Sequence, residues 1–343
     1  MYRLLQNVPK TIRIPFVLVS IIILINYLFV RHEKCPLCPI STQSIKSIIS
    51  SNNLSDIEDE KTVVDDTSLL CLDLAQRIDS ERYYPQSPVI FPPAFNDTKT
   101  FRFPYYRYSH WKSSSIIPRA LTQCEHTLMM HLLMIIDRIC RENKITYFII
   151  YGTLLGSIRH HDIIPWDDDL DIMVPNDKRK ILNNEFKKID KTLIGFASYN
   201  SRLPEWEYDK LYYNITRIAG KKKWHFPFVD IFFYEQNQTH LWALISPEKP
   251  FRTRYIFPLI LRPLGYLWVP APRKPKRLFK LDPFEQCKTS FWNHSSENFQ
   301  KSVIVECNRL KDIYPFVEPN KTKEWIEILK INNTIIHTVV FTL

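Results

Sequence analysis

Between residues 120 and 190 the spacing of apolar positions changes from helical to alternating and back. Residues 122–142 carry apolar side chains on one stripe at helical spacing, namely Leu128, Leu132, Ile136 and Ile139. Thr122 and Glu125 have the spacing of a capping box at the start of this segment. The pattern therefore predicts a helix over residues 122–142 that packs into the core.

Shorter apolar runs downstream predict strands around a short helix. Residues 147–151 predict a strand, residues 153–160 a short helix, and residues 226–234 another strand. Between them, the alternation of Leu170, Ile172 and Val174 predicts a strand that also carries acidic residues. A surface helix is predicted at residues 177–189, with three apolar side chains directed inward: Ile181, Leu182 and Phe186.

A longer apolar run lies near the N-terminus. Residues 14–30 are 17 residues without a charge, flanked by Arg13 and Arg31, and they predict a membrane-spanning signal anchor. The basic residues before the run predict that residues 1–13 are cytosolic and that the rest of the chain is luminal. A cleaved signal peptide is the alternative, but no small-x-small cleavage site follows the run. Residues 31–100 contain a Ser-rich patch, then an acidic stretch and then a Pro-rich stretch, which is typical of a stem.

The composition supports a luminal placement. Seven N-glycosylation sequons occur, at Asn53, Asn96, Asn214, Asn237, Asn293, Asn320 and Asn332. The 7 cysteines allow disulfides with one left over; Cys287 and Cys307 are candidates for a local bridge. Cys35 and Cys38 allow a disulfide within the stem, or one between stems that would form an oligomer. The net charge of +10 suits nucleic acid, an anionic membrane or a phosphorylated substrate, and a luminal domain does not meet nucleic acid.

The candidate chemistry is concentrated in residues 151–174, YGTLLGSIRHHDIIPWDDDLDIMV. Four acids occur here, namely Asp167, Asp168, Asp169 and Asp171. Because residues two apart share a face of a strand, Asp169 and Asp171 point together out of the core. A solvated loop or a helix cap explains Asp168, and could explain Asp167, but it does not explain the pair threaded into an apolar strand. Adjacent carboxylates repel each other unless a cation lies between them, and such oxygens suit Mg²⁺ or Mn²⁺.

A second acidic position occurs in FPFVDIFFY, where Asp230 is the one charged residue in an apolar strand. A buried acid is costly unless it is paired or binds a metal, so Asp230 is interpreted as a third metal ligand or a general base. The alternative is an Asp at the end of a strand that bonds to backbone. The chain contains no GxGxxG, Walker, HExxH or GxSxG motif, so those chemistries lack support.

A strand, a Gly-Thr turn, a short helix, an Asp-x-Asp strand and a later Asp together resemble the nucleotidyltransferase superfamily. The longer string GTLLGSIRHHDIIPWDDDLDI resembles the signature of the LicD family and of the fukutin and fukutin-related glycan-modifying enzymes. FVDIFFYE, RPLGYLWVPAPRKPKRLF and WNHSSE extend the resemblance, which covers about residues 120–316.

The resemblance implies an α/β (α+β) fold over residues 101–343, with a nucleotidyltransferase-like mixed sheet flanked by helices. It implies transfer of phosphocholine or an alditol phosphate, such as ribitol phosphate, from a CDP-linked donor to a glycan on protein or lipid. The anchor and the habit of the family indicate a type II protein of the Golgi or endoplasmic reticulum.

The resemblance also implies roles for individual residues. Asp167, Asp169 and Asp171 are expected to bind Mg²⁺ or Mn²⁺, and Asp169, Asp171 and Asp230 to be catalytic. Four residues are expected to contact the donor: Gly152, Thr153, Arg159 and His160. For Arg159 a structural salt bridge is the alternative, and for His160 a structural role.

Two other functions use similar residues. Luminal glycosyltransferases use Asp-x-Asp with Mn²⁺, but they lack the GTLLG turn directly upstream. A membrane-anchored scaffold of the same fold would tolerate the loss of an acid, whereas the acids and Gly152-Thr153 are all present here.

Overall fold

The computed structural model describes residues 111–189, 191–199, 208–279, 284–319 and 326–341. The predicted anchor and stem lie outside these ranges. Within the described ranges, no helix combines the length and the apolar character needed to cross a membrane.

A seven-stranded mixed sheet forms the centre of the described chain. Its strands are β1 (Phe148–Ile149), β2 (Asp171–Pro175), β3 (Ile194–Tyr199), β4 (Tyr208–Ile218), β5 (His225–Gln236), β6 (His240–Ala243) and β7 (Phe251–Arg252). The strand order is β1-β2-β5-β4-β3, and β6 joins β5 to β7. β2 and β5 are parallel, and the other pairs are antiparallel. The predicted mixed sheet is thus confirmed.

The helices are few: α1 (Gln123–Glu142), α2 (Tyr151–His160), α3 (Arg179–Phe186) and α4 (Thr253–Ile256) are described. The predicted capping box at the start of α1 is confirmed. Thr122 Oγ1 accepts from the Glu125 backbone N–H at 3.2 Å, and the Glu125 carboxylate accepts from the Thr122 N–H at 2.8 Å. The apolar stripe of α1 is buried and packs against β4 and β5.

One part of the prediction for α3 is wrong. A 3-10 turn, Asn176–Lys178, precedes the helix, and Leu182 and Phe186 are buried as predicted. Ile181 is instead 40% exposed. The reason is geometric: positions 182 and 186 are four apart and share a face, while position 181 is rotated about 100° from 182.

The chain after residue 256 is mostly short antiparallel strands. These are β8 (Ile260–Leu264), β9 (Leu267–Ala271), β10 (Gln286–Lys288), β11 (Trp292–Asn293), β12 (Asn298–Phe299), β13 (Ile304–Glu306), β14 (Phe316–Pro319), β15 (Ile326–Ile331) and β16 (Thr334–Val340). The pairs are β8–β9, β10–β13, β11–β12, β14–β15 and β15–β16. Cys287 and Cys307, the candidates for a local bridge, form a disulfide, and Cys140 is a free, buried thiol.

A buried ionic network ties this C-terminal part to α2. Arg262 donates to both carboxylate oxygens of Glu327, at 3.1 and 2.8 Å, and to the Ser157 hydroxyl at 3.2 Å. His161, which follows the last residue of α2, lies with Nε2 2.9 Å from Glu327 Oε2. The network therefore holds the end of α2 against β8 and β15.

Candidate active site

Three carboxylates meet where β2 and β5 run side by side. Asp171 begins β2 and is in register with Asp230 of β5, whose N–H donates to the Leu170 carbonyl at 2.8 Å. One carboxylate oxygen from each of Asp169, Asp171 and Asp230 lies within 4.8 Å of the other two. The structure thus brings together the two acidic segments that the sequence pattern singled out. We call these three residues the acidic triad.

The first turn of α2 contacts the acidic segment that carries the triad. Thr153 Oγ1 accepts a hydrogen bond from the Asp171 N–H at 2.7 Å, which anchors the start of β2. Gly152 faces Asp167, because a Cβ built at residue 152 would lie 2.5 Å from Asp167 Oδ2 and 3.9 Å from Asp171 Oδ2. Any side chain at position 152 would therefore displace the Asp167 carboxylate. Contact of Gly152 and Thr153 with a donor stays a prediction.

Asp167 adjoins the triad through a side-chain hydrogen bond with Asp169. Burial, followed by the charges of Asp169 and Asp168, raises the pKa of Asp167 well above its usual range. Burial, followed by the charges of Asp169 and Asp230, does the same to the pKa of Asp171. Both pKa values are raised for the same reason, because several carboxylates lie close together where little water reaches them.

This arrangement fits a hard divalent cation. All-oxygen carboxylate ligands are those that Mg²⁺ and Mn²⁺ prefer, and a cation among them would remove the repulsion that raises the pKa values. Among the described residues, two sets of ligand atoms lie within 4.8 Å of one another: Asp168, Asp169 and His294 form one, and the acidic triad forms the other. Neither set contains Asp167. The assignment of Asp167 as a direct metal ligand stays a prediction.

Lys210 supplies a positive charge that sequence reasoning missed. It lies on β4 in register with Asp230, and its Nζ is 2.5 Å from Asp230 Oδ1. The ammonium also lies 3.4 Å from the centroid of the Phe228 ring and 5.2 Å from that of Trp224, so its surroundings are otherwise aromatic. Burial raises the pKa of Asp230, and Lys210 opposes that shift. The available signal was weak, because β4 also carries Asp209, Asn214 and Arg217.

His294 is the second residue that sequence reasoning missed. Its backbone N–H donates to Asp168 Oδ2 at 2.9 Å, and its Nδ1 lies 2.7 Å from Asp168 Oδ1. Its Nε2 lies 3.2 Å from Asp169 Oδ2. Burial lowers the pKa of His294, but Asp169 and Asp168 outweigh burial and bring this pKa to about 10. The interpretation of Asp168 as a solvated loop residue is wrong, because it is buried and holds His294 beside the triad.

Arg159 and His160, in the last turn of α2, are buried and have partners within the protein. Arg159 is buried, and it donates through Nε to His160 Nε2 at 3.1 Å and through Nη1 to the Gln286 carbonyl at 3.3 Å. Burial lowers the pKa of Arg159 to about 10, and Asp167 opposes the shift. His160 Nδ1 lies 2.6 Å from the Pro315 carbonyl, so both ring nitrogens have protein partners. These contacts favour the structural alternative for both residues, and their donor contacts stay predictions.

Residues 144–274 match the family model LicD, described as LicD/FKTN/FKRP, nucleotidyltransferase domain. This part of the chain is therefore similar to the nucleotidyltransferase domain of the LicD family. The acidic triad, Gly152, Thr153 and Lys210 lie inside the LicD match, whereas His294 and the Cys287–Cys307 disulfide lie beyond it.

Three curated relatives are similar to part of the chain. Lipopolysaccharide cholinephosphotransferase LicD of Haemophilus influenzae is 27% identical over 190 residues, which cover 54% of this chain and 62% of that protein. Uncharacterized protein RT0683 of Rickettsia typhi is 28% identical over 137 residues, covering 39% and 38%. Uncharacterized protein RP689 of Rickettsia prowazekii is 40% identical over 62 residues, covering 17% and 23%. The chain therefore spans less than two thirds of the length of each of these relatives.

Proposed function

We propose that this chain is a divalent-metal-dependent phosphotransferase. It would move phosphocholine or an alditol phosphate, such as ribitol phosphate, from a CDP-linked donor to a glycan on a protein or lipid. The observation that carries the proposal is the acidic triad inside the LicD match, with three carboxylates within 4.8 Å. The name of the Haemophilus influenzae relative, a cholinephosphotransferase, supports the class of reaction.

Asp169, Asp171 and Asp230 would hold the Mg²⁺ or Mn²⁺. When bound, the cation supplies charge neutralisation at the transferring phosphoryl group. Lys210 holds Asp230 in place and limits the negative charge of the metal-free site. Gly152 and Thr153, in the first turn of α2, would offer backbone N–H groups to a donor phosphate.

The proposed transfer breaks one phosphorus–oxygen bond and forms another. The acceptor hydroxyl oxygen attacks the phosphorus atom that carries the alcohol, and the bond from this atom to the bridging oxygen breaks, so that CMP leaves. The hydroxyl proton passes to a site carboxylate, for which Asp230 is the candidate. His294 is a positioning residue, because it is held by Asp168 and orients the Asp169 carboxylate.

The test follows CMP release by the purified full-length chain with Mg²⁺ or Mn²⁺. The donors are CDP-choline, CDP-ribitol and CDP-glycerol, each with a panel of candidate glycans. Asp169→Asn, Asp171→Asn and Asp230→Asn run beside Asp177→Asn, a matched control because Asp177 is an exposed acid outside the triad. We expect metal-dependent CMP release that the three triad variants lose and the control keeps.

Other outcomes would overturn the proposal in recognisable ways. Consumption of UDP- or GDP-sugars in place of the CDP-linked donors would make the chain a glycosyltransferase. An absence of turnover together with an absence of metal-dependent nucleotide binding would make it a scaffold.

We also propose a type II membrane topology with the domain in the lumen of the Golgi or endoplasmic reticulum. The charge-free run at residues 14–30 and the sequons support it. Asn237, between β5 and β6, and Asn332, between β15 and β16, are exposed and suited to carry glycans. Peptide-N-glycosidase treatment of the protein from eukaryotic cells should increase its mobility, and Asn237→Gln with Asn332→Gln should reduce that change. A wild-type protein with unchanged mobility would argue against a luminal domain.

A further inference from the structure

A disulfide-closed segment brings His294 to the acidic triad. The Cys287–Cys307 bond closes residues 287–307, and β10 pairs with β13 just inside it. Further along, β11 pairs with β12, and His294 follows β11 directly. We call residues 287–307 the hairpin. Two strand pairs and a disulfide hold it in one shape, so groups on its surface are positioned before any ligand arrives.

The hairpin exposes three aromatic rings that contact one another. Phe299 is 79% exposed and Phe291 is 60% exposed, and their rings stack with centroids 6.0 Å apart. Trp292 is opposite Phe299 in the strand register, and its ring meets that of Phe299 edge-on at 4.8 Å. We call these three residues the aromatic ridge. A contiguous apolar surface of this kind marks a binding site more often than an exposed single ring does.

The ridge is close along the chain to His294, which contacts the triad. Trp292 is two residues before His294, so their Cα atoms are at most about 7 Å apart, and for Phe291 the limit is about 11 Å. His294 itself touches Asp168 and Asp169. A ligand only a few sugar units long could therefore lie on the ridge and present a hydroxyl at the triad.

The three rings of the ridge are smaller than a standard protein–protein interface, and they lie outside the residues that match the nucleotidyltransferase domain. Three partly exposed rings offer a few hundred Å² at most, against about 800 Å² per partner in a standard stable interface. The hairpin also lies outside residues 144–274, the part that matches the nucleotidyltransferase domain. The nucleotide is thus expected within the matched part, which leaves the ridge to the second substrate.

We propose that the aromatic ridge is the acceptor subsite and that its ligand is a glycan with pyranose rings. The C–H face of a pyranose is apolar and flat enough to lie on an aromatic ring, while its hydroxyl groups stay in water or reach the triad. This proposal rests on the proposed function, which requires a glycan acceptor, and it adds the surface that binds this acceptor.

The kinetic test compares Phe299→Ala and Phe291→Ala with Ile335→Ala in the full-length chain. Ile335 is a matched control because it is 58% exposed and lies on β16, in another sheet. With the acceptor glycan found in the CMP-release assay, we expect Phe299→Ala to raise KM for that glycan about tenfold and KM for the CDP-linked donor much less. Phe299→Tyr should restore KM for the glycan, and Ile335→Ala should leave both constants unchanged.

A binding test needs no turnover and separates the two proposals. Cello-oligosaccharides and N-acetylchito-oligosaccharides serve as probes, with saturation-transfer NMR from the aromatic protons as the readout. Saturation transfer to a probe that is weaker in Phe299→Ala than in wild type would support the ridge as a glycan site. If no CMP release were found at the same time, only the proposed function would fail.

Three results would overturn the ridge proposal. The first is a KM for the acceptor glycan that Phe299→Ala leaves within twofold of wild type. The second is a rise in donor KM that exceeds the rise in acceptor KM, which would make the ridge a nucleotide site. The third is loss of binding to phosphatidylcholine vesicles in Phe299→Ala with no change in KM for the glycan, which would make the ridge a membrane contact.

Discussion

Lys210→Met should make the stability of the sheet depend on divalent cations. Lys210 Nζ lies 2.5 Å from Asp230 Oδ1, and both side chains are buried. At that distance and an effective dielectric constant of about 20, the attraction is about 7 kcal/mol, most of which offsets desolvation of the two charges. Truncating Lys210 leaves Asp230 buried beside Asp169 and Asp171 without its ion-pair partner, and only the more distant charge of His294 opposes the effect of burial. The expected loss in the free energy of unfolding is about 3–5 kcal/mol without metal.

The assay is urea unfolding followed by tryptophan fluorescence, once with EDTA and once with Mn²⁺. Arg179→Met is the matched control. Arg179 Nη2 lies 2.8 Å from Asp209 Oδ1, and Asp209 is the residue before Lys210 on β4, so its side chain points to the other face of the sheet. This control removes an ion pair between α3 and the buried Asp209 of the same strand but leaves the triad unchanged.

Mn²⁺ should distinguish the two variants. A ligand at 100 times its Kd stabilises by about 2.7 kcal/mol, and each tenfold gain in affinity adds about 1.4 kcal/mol. Because the ammonium competes with the cation for Asp230, Lys210→Met should bind Mn²⁺ more tightly and gain more stability than wild type. Arg179→Met should gain the same as wild type. Equal gains in all three proteins, or a loss below about 1 kcal/mol in Lys210→Met with EDTA, would refute the reasoning.

Gly152→Ala should lower kcat at least about tenfold, because the new Cβ would lie 2.5 Å from Asp167 Oδ2 and displace that carboxylate. Its cost in the free energy of unfolding should stay below about 1 kcal/mol, because a side chain can move aside. Steady-state kinetics and urea unfolding of the variant measure the two effects separately. His294→Gln should lower CMP release about 10- to 100-fold, since His294 orients two site carboxylates, and activity within twofold of wild type would contradict this role. Burial alone would raise the pKa of Glu327, but Arg262 and its other partners lower it from 4.5 to about 2. The pKa of Glu327 is thus lower in the folded than in the unfolded state, so its ionised form adds about 3 kcal/mol of stability above pH 4.5, which is lost as the pH falls towards 2. Urea unfolding between these pH values should show this loss in wild type but not in Glu327→Gln.

Local patterns in the sequence predicted the elements that depend on neighbouring residues. The capping box of Thr122 and Glu125 and the stripe of α1 were predicted, because cap and periodicity are properties of a single helix. The meeting of Asp169 and Asp171 was also predicted, although Asp169 lies before β2 and not within the strand as expected. The burial of Asp230 followed from the apolar residues around it.

The remaining site residues could not be read in this way. Lys210 reaches Asp230 through the pairing of β4 with β5, and His294 reaches Asp168 across 126 residues of chain. No periodicity links such positions. Asp168 was misinterpreted for the same reason, because its partner is supplied by the hairpin.

The sequence by itself determined which residues are acidic, which faces they share and which family signature they form. Those features depend on residue type and on spacing within one element. Only the tertiary structure decided which charges balance the triad, that Arg159 and His160 have partners within the protein, and that the hairpin contacts the triad through His294. Contacts between distant segments depend on strand pairing, register and a disulfide, and these come from the packing of the whole domain rather than from any one stretch of it.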